Sequence, residues 1–507
     1  MNGHANGNTD SRVDVVIIGA GISGINAAYR LQEACPQYSY TLFEARDDLG
    51  GTWDFFKYPG LRSDSDLYTF GFQFNPWPHN NPIAEGPLIK EYIRDTAQKF
   101  GIDKHIRFGH RLTSADWSSA ENTWTLNVEH NGQSKIITTR FILFGSGYYD
   151  YNKPLEAKIP GLDNFQGKIV HPQFWPEDLD YKNKRVIIIG SGATAITLLP
   201  NIAQQAERVT MLQRSPSYIL PLPNNSNSLL LFWLIPFSWI LSKSFYARIQ
   251  RMSWILIARW FFLFCHKFPK LSSWILRNRS SWYLPKHIPL DPHFKPRYNP
   301  WEQRLCVSPD GDFYRCLRQG KADIRTDTIK TVTKKGIEIN SGETLDADII
   351  VTATGLKLLI AGGAVLRVDG KEIDIGKKYL WNGVMLEDLP NASFIIGYTN
   401  ASWTLGSDAT AQFVCRFLKS LESRKLVAAT PRMKPELAKE LKDLPLLNLN
   451  STYVTTADSV LPRAADRGPW QPRDHYLKDI KFATKGNMDD GMEYVQGPNL
   501  HLRPNIA

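Results

Sequence analysis

One pattern occurs twice in this chain and restricts its fold more than any other feature: a short apolar strand, a glycine turn, then an amphipathic helix. The first copy is "VDVVIIGAGISGINAAYRLQEA", where a β-branched run over residues 13–18 turns through Gly19, Gly21 and Gly24. The first glycine permits a tight turn, the second lets a pyrophosphate approach the backbone, and the third allows close helix–strand packing. Ser23 lies in the same turn, and the helix N-terminus meets the negative charge of the phosphates. "SYTLFEAR" supplies the next strand and ends in Glu44, where an acid binds a ribose 2′-hydroxyl.

The second copy is "KRVIIIGSGATAITLLPNIAQQAERVTMLQRS", with its turn through Gly190, Ser191, Gly192, Ala193, Thr194 and Ala195. Its next strand, "RVTML", leads to Gln213, Arg214 and Ser215 instead of an acid. A carboxylate there would repel a 2′-phosphate, whereas a guanidinium pairs with it bidentately. The first unit therefore reads as an FAD or NAD site and the second as an NADP site. The fold class expected is α/β, with two Rossmann-like dinucleotide domains, for which 507 residues leave ample room.

FAD beside NADPH implies hydride transfer from nicotinamide to flavin, and the electrons then need an acceptor. A disulfide reductase would use a CxxC pair, but none of the five cysteines forms one; Cys306 and Cys316 read as buried thiols. Oxygen is the leading acceptor. The odd cysteine count also points to a reducing, cytoplasmic compartment. The polar start, "MNGHANGNTDSR", shows no secretory h-region, so residues 1–12 are expected to be a disordered tail.

Between the two units stands "FQGKIVHPQFWP". Gly167, Pro172 and Pro176 make it read as neither helix nor strand, yet Phe165, His171 and Trp175 are anchoring residues. Here the chain resembles the Baeyer–Villiger monooxygenases, within the class B flavoprotein monooxygenases. Phe165, Gly167, His171, Trp175 and Pro176 match their FxGxxxHxxxWP fingerprint. The resemblance runs from Val13 to about Phe482 and looks closest to the ethionamide-activating branch, through "GGTWDFFKYPGLRSDSDLYTFGF", "HPQFWPEDLDY", "NPWEQRLCVSPDGDFYR" and "GYTNASWTL".

The resemblance implies FAD and NADPH as cofactors and a C4a-peroxyflavin as the oxygenating reagent. It implies that Arg304 stabilises the peroxide anion and the intermediate that follows, oriented by Asp64, a carboxylate expected to stay ionised beside a guanidinium. It implies that Thr52, Trp53 and Leu112 touch FAD, that Arg62, Ser63 and Asp64 approach NADP, and that Asn400 and Trp403 line the substrate side. Family members often carry a lysine before the arginine; here it is Gln303, which leaves more of the 2′-phosphate to Arg214 and Ser215. The resemblance implies that the fingerprint histidine is not a direct catalyst but transmits motion between the domains, while the residues themselves read equally as a structural linker. No metal site is read from the sequence.

The domain boundaries expected are a tail at 1–12, an FAD domain at 13–155 and 348–430, a linker at 156–177, an NADP domain at 178–221 and 301–347, a helical insertion at 222–300, and a C-terminal segment at 431–507. "LDADIIVTATG" reads as a buried strand returning to the FAD domain, and "TPRMKPELAKELKDLP" as one amphipathic helix. The insertion holds eleven lysines and arginines against Asp291 alone, which equals the whole net charge of +10. With the rest balanced, a nucleic-acid partner is not indicated. The insertion also holds six of the fifteen tryptophans, four of them in "SLLLFWLIPFSWILS" and "MSWILIARWFFLFCHKF" and the others at Trp274 and Trp282. Pro236 and Arg259 interrupt these runs, which are too short for a membrane span. They read either as an interfacial face for an anionic membrane, giving peripheral association, or as the wall of a substrate tunnel. Oligomeric state is not legible. The function expected is insertion of one oxygen beside the carbonyl of an apolar ketone, giving an ester or lactone. Oxygenation at sulfur or nitrogen uses the same fold, and a non-catalytic flavin redox sensor is the alternative of another class.

Overall fold

The structure is a computed structural model that describes residues 11–225, 242–457 and 459–497. Both glycine units form the parallel sheets expected of them. The strand Ser11–Ile18 pairs in parallel with Tyr40–Phe43 on one side and with Gln133–Phe144 on the other. Its side chains alternate between two cores: Val15 and Ile17 enter one cluster, while Val13, Val16 and Ile18 enter the other. A strand covered on both faces reads as an unbroken apolar run, which is how residues 15–18 read. This first sheet runs, in order, Lys371–Glu372, Val365–Val368, Arg111–Ser118, Thr123–His130, Gln133–Phe144, Ser11–Ile18, Tyr40–Phe43, Ile106–Arg107, with Ala392–Phe394 also pairing to Gln133–Phe144. The strand starts at Ser11, two residues before the expected start of the domain at 13; residues 1–10 lie outside the described residues.

The second sheet is wholly parallel, in the order Ala322–Thr326, Arg208–Gln213, Arg185–Ile189, Ile349–Thr352, Lys168–Val170. It corrects two expectations. The linker stretch is not free of secondary structure, since Lys168–Val170 is the edge strand of this sheet and Pro172–Phe174 a 3-10 turn. An edge strand tolerates flanking prolines because one side of its ladder needs no donors. The buried strand Ile349–Thr352 does not belong to the first domain either; it pairs with Arg185–Ile189. The return to the first domain comes after it, where Leu358 bridges to Tyr149 and the Asp150 amide donates to the Lys357 carbonyl. The chain thus crosses between the two domains on two strands lying side by side.

The expected helix near residue 435 is also corrected. Leu426–Pro431 is a fully buried strand paired with Met492–Gln496, and only Pro435–Glu440 is helical. Thr430 and Pro431 end that strand, Pro435 sits in the first turn of the shortened helix, and Asp443–Leu444 pairs with Ala464–Ala465 instead of extending it. The long helix Trp403–Ser423 packs along Ile22–Ala34 and Tyr476–Lys485, so the C-terminal segment closes onto the first domain.

The insertion is helical in its described part: Lys243–Lys267, then Pro269–Ser281. Its first apolar run falls mostly in residues 226–241, outside the described residues. Arg259 does not break the first helix. It pairs with Asp474 at 3.2 Å. Arg251, counted in the sequence among the insertion's cations, is buried: one guanidinium nitrogen donates to the carbonyls of Tyr68, Thr69 and Gly71 at 2.9, 3.1 and 2.7 Å. It fastens the insertion to the first domain. Among the described residues no helix is long and apolar enough to cross a membrane.

Candidate active site

Two helices present bare N-termini to one cavity. Ile22–Ala34 starts after Gly21 and Ala193–Ile202 after Gly192, and neither N-cap is closed by a side chain. Backbone N–H groups left free in this way favour phosphate. Gly24 shows why the turn needs glycine: a Cβ there would lie 1.9 Å from the Gly19 carbonyl oxygen. At Gly192 the same construction meets nothing within 4 Å, so the space above the second turn is open to a ligand.

The cavity holds about 1790 Å³, well beyond the few hundred to about 1,000 Å³ of an ordinary ligand pocket. Two dinucleotides fit it on these grounds. The structure divides the expected residues into two groups. Gly19, Gly21, Ser23, Glu44, Thr52, Trp53, Arg62, Ser63, Asp64 and Leu112 line it from the first domain. Gly190, Ser191, Gly192, Ala193, Thr194, Arg214, Ser215 and Arg304 line it from the second, and Asn400 and Trp403 from the later first-domain segment. Gly24 and Ala195 do not; they serve the packing of helix on strand.

The fingerprint residues also stand away from the cavity. Phe165 is buried in the core under the second sheet, and Trp175 in the core on its other side, near Tyr181. A Cβ on Gly167 would lie 2.4 Å from the Asp348 carbonyl oxygen. His171 caps the 3-10 turn by accepting from the Gln173 amide at 3.2 Å, and Pro176 follows it. Burial lowers the His171 pKa and leaves its Nε2 without a partner. Gln173 ties this turn to the first crossing by donating to the Asp150 carbonyl at 2.7 Å. This stretch thus touches the first crossing through Gln173, which is not itself one of the fingerprint residues.

Around the cavity the side chains are fixed by specific bonds. Glu44 accepts from the Ala20 amide at 2.8 Å and the Arg46 amide at 3.1 Å, which aims its carboxylate at the end of the second strand. Thr52 shares a hydrogen bond with Tyr151 at 3.2 Å, and Trp53 meets Phe70 edge-on. Ser63 closes a tight turn with Ser65. Arg62 is engaged by protein at both ends, pairing with Asp312 and donating to the Val307 carbonyl at 3.0 Å. Ser191 donates to the Ser215 carbonyl at 2.7 Å, and Trp403 Nε1 to Ser23 Oγ at 2.9 Å. Asn400 donates to the Asp474 carbonyl at 3.3 Å.

Arg214 makes one weak side-chain bond, to Thr452 Oγ1 at 3.3 Å, leaving most of its fork for an anion. Arg214→Ala should weaken NADPH about ten- to a hundred-fold, the value of a charge-assisted contact, and leave NADH nearly unchanged. Titration of each nicotinamide nucleotide against the purified protein checks this; equal loss for both would contradict the assignment.

Arg304 stands in the open cavity with protein around it on every side. Its Nη2 donates to the Tyr148 hydroxyl at 3.4 Å. Tyr148 bonds Tyr149 at 3.0 Å and stacks on Trp403 with ring centres 4.9 Å apart. The guanidinium pKa is raised, first by Tyr148, then by Tyr453, Tyr149 and Asp64, so the charge is permanent. These tyrosines were missed in the sequence, although Tyr148 and Tyr149 stand in "GYYDY", which two residues separate from the strand Gln133–Phe144.

Asp64 departs from the expectation that it stays firmly ionised. Burial pushes its carboxyl up to about 6, against the pull of Arg62, the Val307 amide and Arg304. The sign fixes a prediction. Above pH ~6 the carboxylate is charged and favours the Arg304 guanidinium electrostatically, without a direct ion pair; as pH falls through ~6 it takes up a proton and that attraction is lost. Oxygenation should therefore fall on an acid limb near pH 6, and Asp64→Asn should abolish the limb and lower the plateau. A pH–rate profile of both proteins decides it.

Known proteins resemble this one along nearly the whole chain. A family model described as flavin-binding monooxygenase-like matches residues 12–423. The FAD-containing monooxygenase EthA of Mycobacterium tuberculosis is 42% identical over 493 residues, covering 96% of this chain and 98% of that protein. The probable FAD-binding monooxygenase AlmA of Acinetobacter baylyi is 40% identical over 485 residues, covering 95% and 96%. Among solved structures, an oxidised steroid monooxygenase bound to NADP superposes with a TM-score of 0.72 at 22% identity, over 96% of this chain and all of that one. A cyclohexanone-bound cyclohexanone monooxygenase gives 0.71 at 20%, with the same coverage.

Proposed function

The chain belongs to the flavin-binding monooxygenase family, and from that premise we propose that it is an FAD-containing, NADPH- and O2-dependent monooxygenase that inserts one oxygen atom beside the carbonyl of an apolar ketone. The observation that supports the reaction class is the trio of Arg304, Asp64 and Tyr148 in a cavity that both glycine turns enter. FAD, when bound, supplies dioxygen activation, and NADPH supplies the two electrons.

The chain's own part is to bind, to orient and to hold charge. The two bare helix ends take the pyrophosphates, Glu44 the ribose of FAD and Arg214 the 2′-phosphate of NADPH. Arg304 offers fixed N–H donors where negative charge develops on an attacked carbonyl oxygen. Such preorganised charge gains strength as bound cofactor and substrate displace water from the cavity. Asp64 attracts the guanidinium without a direct ion pair to it, and Tyr148, stacked on Trp403, accepts from one of its nitrogens.

The substrate class follows from the cavity wall. The insertion helix contributes Trp254, Ile257, Ala258 and Phe261, which favour an apolar molecule. The test is a panel of apolar ketones and thioethers in air with NADPH. A ketone product heavier by one oxygen, with NADPH consumed above the substrate-free rate, supports the reading. Thioether oxidation with no ketone product would replace it by heteroatom oxygenation. NADPH use that no substrate affects would contradict a monooxygenase acting on either class.

A further inference from the structure

The insertion helix Lys243–Lys267 is apolar on two opposite sides. Its inner side lines the cavity with Trp254, Ile257, Ala258 and Phe261. Its outer side carries Phe245, Arg248, Met252, Leu256, Trp260 and Leu263 and ends at Lys267, all exposed and spaced three or four residues apart. That spacing makes one continuous stripe. Leu256 is 50% exposed and Trp260 65%. The stripe has cations at its ends and no acid along it. The following helix adds exposed Leu271, Trp274 and Ile275, and Trp282 just beyond it is 74% exposed.

A second observation joins this face to the site. Trp260 is among the most exposed large hydrophobic residues described and yet lines the cavity; so does Leu477, also exposed. The cavity therefore opens beside the outer stripe, between the insertion helix and the segment that begins Tyr476–Lys485. Apolar stripes of this extent on a free surface mark a docking face, and the surrounding charge selects what docks. Lys243, Arg248, Lys267, Lys270, Lys286 and Arg297 are exposed, while Asp291, the insertion's one acid, is spent on Lys295 at 2.5 Å. Residues 226–241, outside the described residues, carry no charge and include two tryptophans in sequence.

We propose that the outer face of the insertion helix docks on an anionic lipid bilayer, and that apolar substrate enters the cavity from the bilayer past Trp260. Lysine and arginine reach anionic headgroups, tryptophan settles at the headgroup level, and leucine and methionine enter the acyl boundary. The buried Arg251 and the Arg259–Asp474 pair hold the helix to the first domain, so the mouth stays aligned with the face. Only the identity of the entering molecule rests on the proposed oxygenase function; docking itself does not.

The test uses the FAD-loaded full chain and sedimentation with vesicles, either of phosphatidylcholine alone or mixed with phosphatidylglycerol. The expected result is binding to the mixed vesicles at low salt, partial release by high salt, and little binding to phosphatidylcholine alone. The triple variant Met252→Ser, Leu256→Ser, Leu263→Ser should lower vesicle affinity about tenfold or more. It should keep its kcat/KM on a short water-soluble ketone and lose several-fold on a long-chain ketone presented in vesicles. A second variant, Lys243→Glu, Arg248→Glu, Lys267→Glu, should lose the salt-sensitive part of binding. Protein that stays in the supernatant at low salt would overturn the proposal. So would pelleting without vesicles, which would mean that a second copy covers the stripe, or a serine variant that binds as well as the wild type. Vesicle binding by a protein that oxygenates nothing would leave docking standing and remove the oxygenase reading instead.

Discussion

Replacing Arg304 by alanine is expected to lower the rate of ketone oxygenation by about 10²–10³-fold while the purified protein keeps its FAD. The size is that of one preorganised donor removed from a developing oxyanion. The reason for the split lies in position. Arg304 is two residues before the strand Cys306–Pro309 in the second domain, and it reaches into the cavity toward Tyr148 and Asp64. The expected FAD contacts, at Glu44, Thr52, Trp53 and the first glycine turn, are all in the first domain. Loss of the guanidinium therefore removes charge at the reacting end without opening the flavin cradle. Arg304→Lys should recover only part of the rate, because an ammonium lacks the planar fork that Tyr148 and a substrate oxygen can share. Flavin absorbance with steady-state rates checks both; ester formation near the wild-type rate in Arg304→Ala would remove the role.

The largest effect on stability is expected at Arg251. Arg251→Met keeps the aliphatic bulk but leaves the carbonyls of Tyr68, Thr69 and Gly71 without their shared donor. Each unsatisfied buried carbonyl costs about 1–3 kcal/mol, so the change should destabilise the protein by roughly 3–5 kcal/mol. Those carbonyls belong to the turn Leu67–Phe70 and the residue beyond it, which pack against the insertion helix. The variant should therefore unfold at a clearly lower temperature, and proteolysis should open first within residues 222–300. Arg248→Met, on the exposed stripe three residues earlier, is the matched control and should change stability by less than about 0.5 kcal/mol. Equal melting of the two variants would show that Arg251 is not a fastening point.

The contrast between Arg248 and Arg251 shows where sequence reading stops. Both are arginines in a basic, aromatic stretch, and composition treats them alike. One lies on the outer stripe and the other turns toward the end of a four-residue helix some 180 positions away in the chain. Nothing local marks that pairing. The glycine units were legible for the opposite reason: everything they need is local. A buried β-branched strand, a turn with positive φ at Gly19 and a helix that must approach closely at Gly24 are written into consecutive residues.

The expected site residues fall between these cases. Glu44 and Arg214 were expected as cofactor residues from local position, since each immediately follows the strand after its glycine unit. Arg304, Asp64, Thr52 and Trp53 came only through resemblance, since as residue types they look like a surface charge, a turn cap and core residues. The tyrosines around Arg304 escaped because Tyr148 and Tyr149 lie in a connector and Tyr453 lies some 300 residues later; only the fold brings them to one guanidinium. Boundaries failed where a strand is too short to show a period. Lys168–Val170 is three residues long and is recognisable only from its partner, Ile349–Thr352.

The central claim is that this cavity couples NADPH oxidation to transfer of an oxygen atom from O2 to an apolar ketone. One experiment tests it directly: turnover of a long-chain ketone under ¹⁸O2 with NADPH, reading product mass and NADPH consumed together. The expected result is an ester carrying one labelled oxygen, formed in near-equal amount to the NADPH used, and lost in Arg304→Ala. NADPH consumed with hydrogen peroxide as the sole product across a range of apolar ketones, or an ester without label, would contradict it.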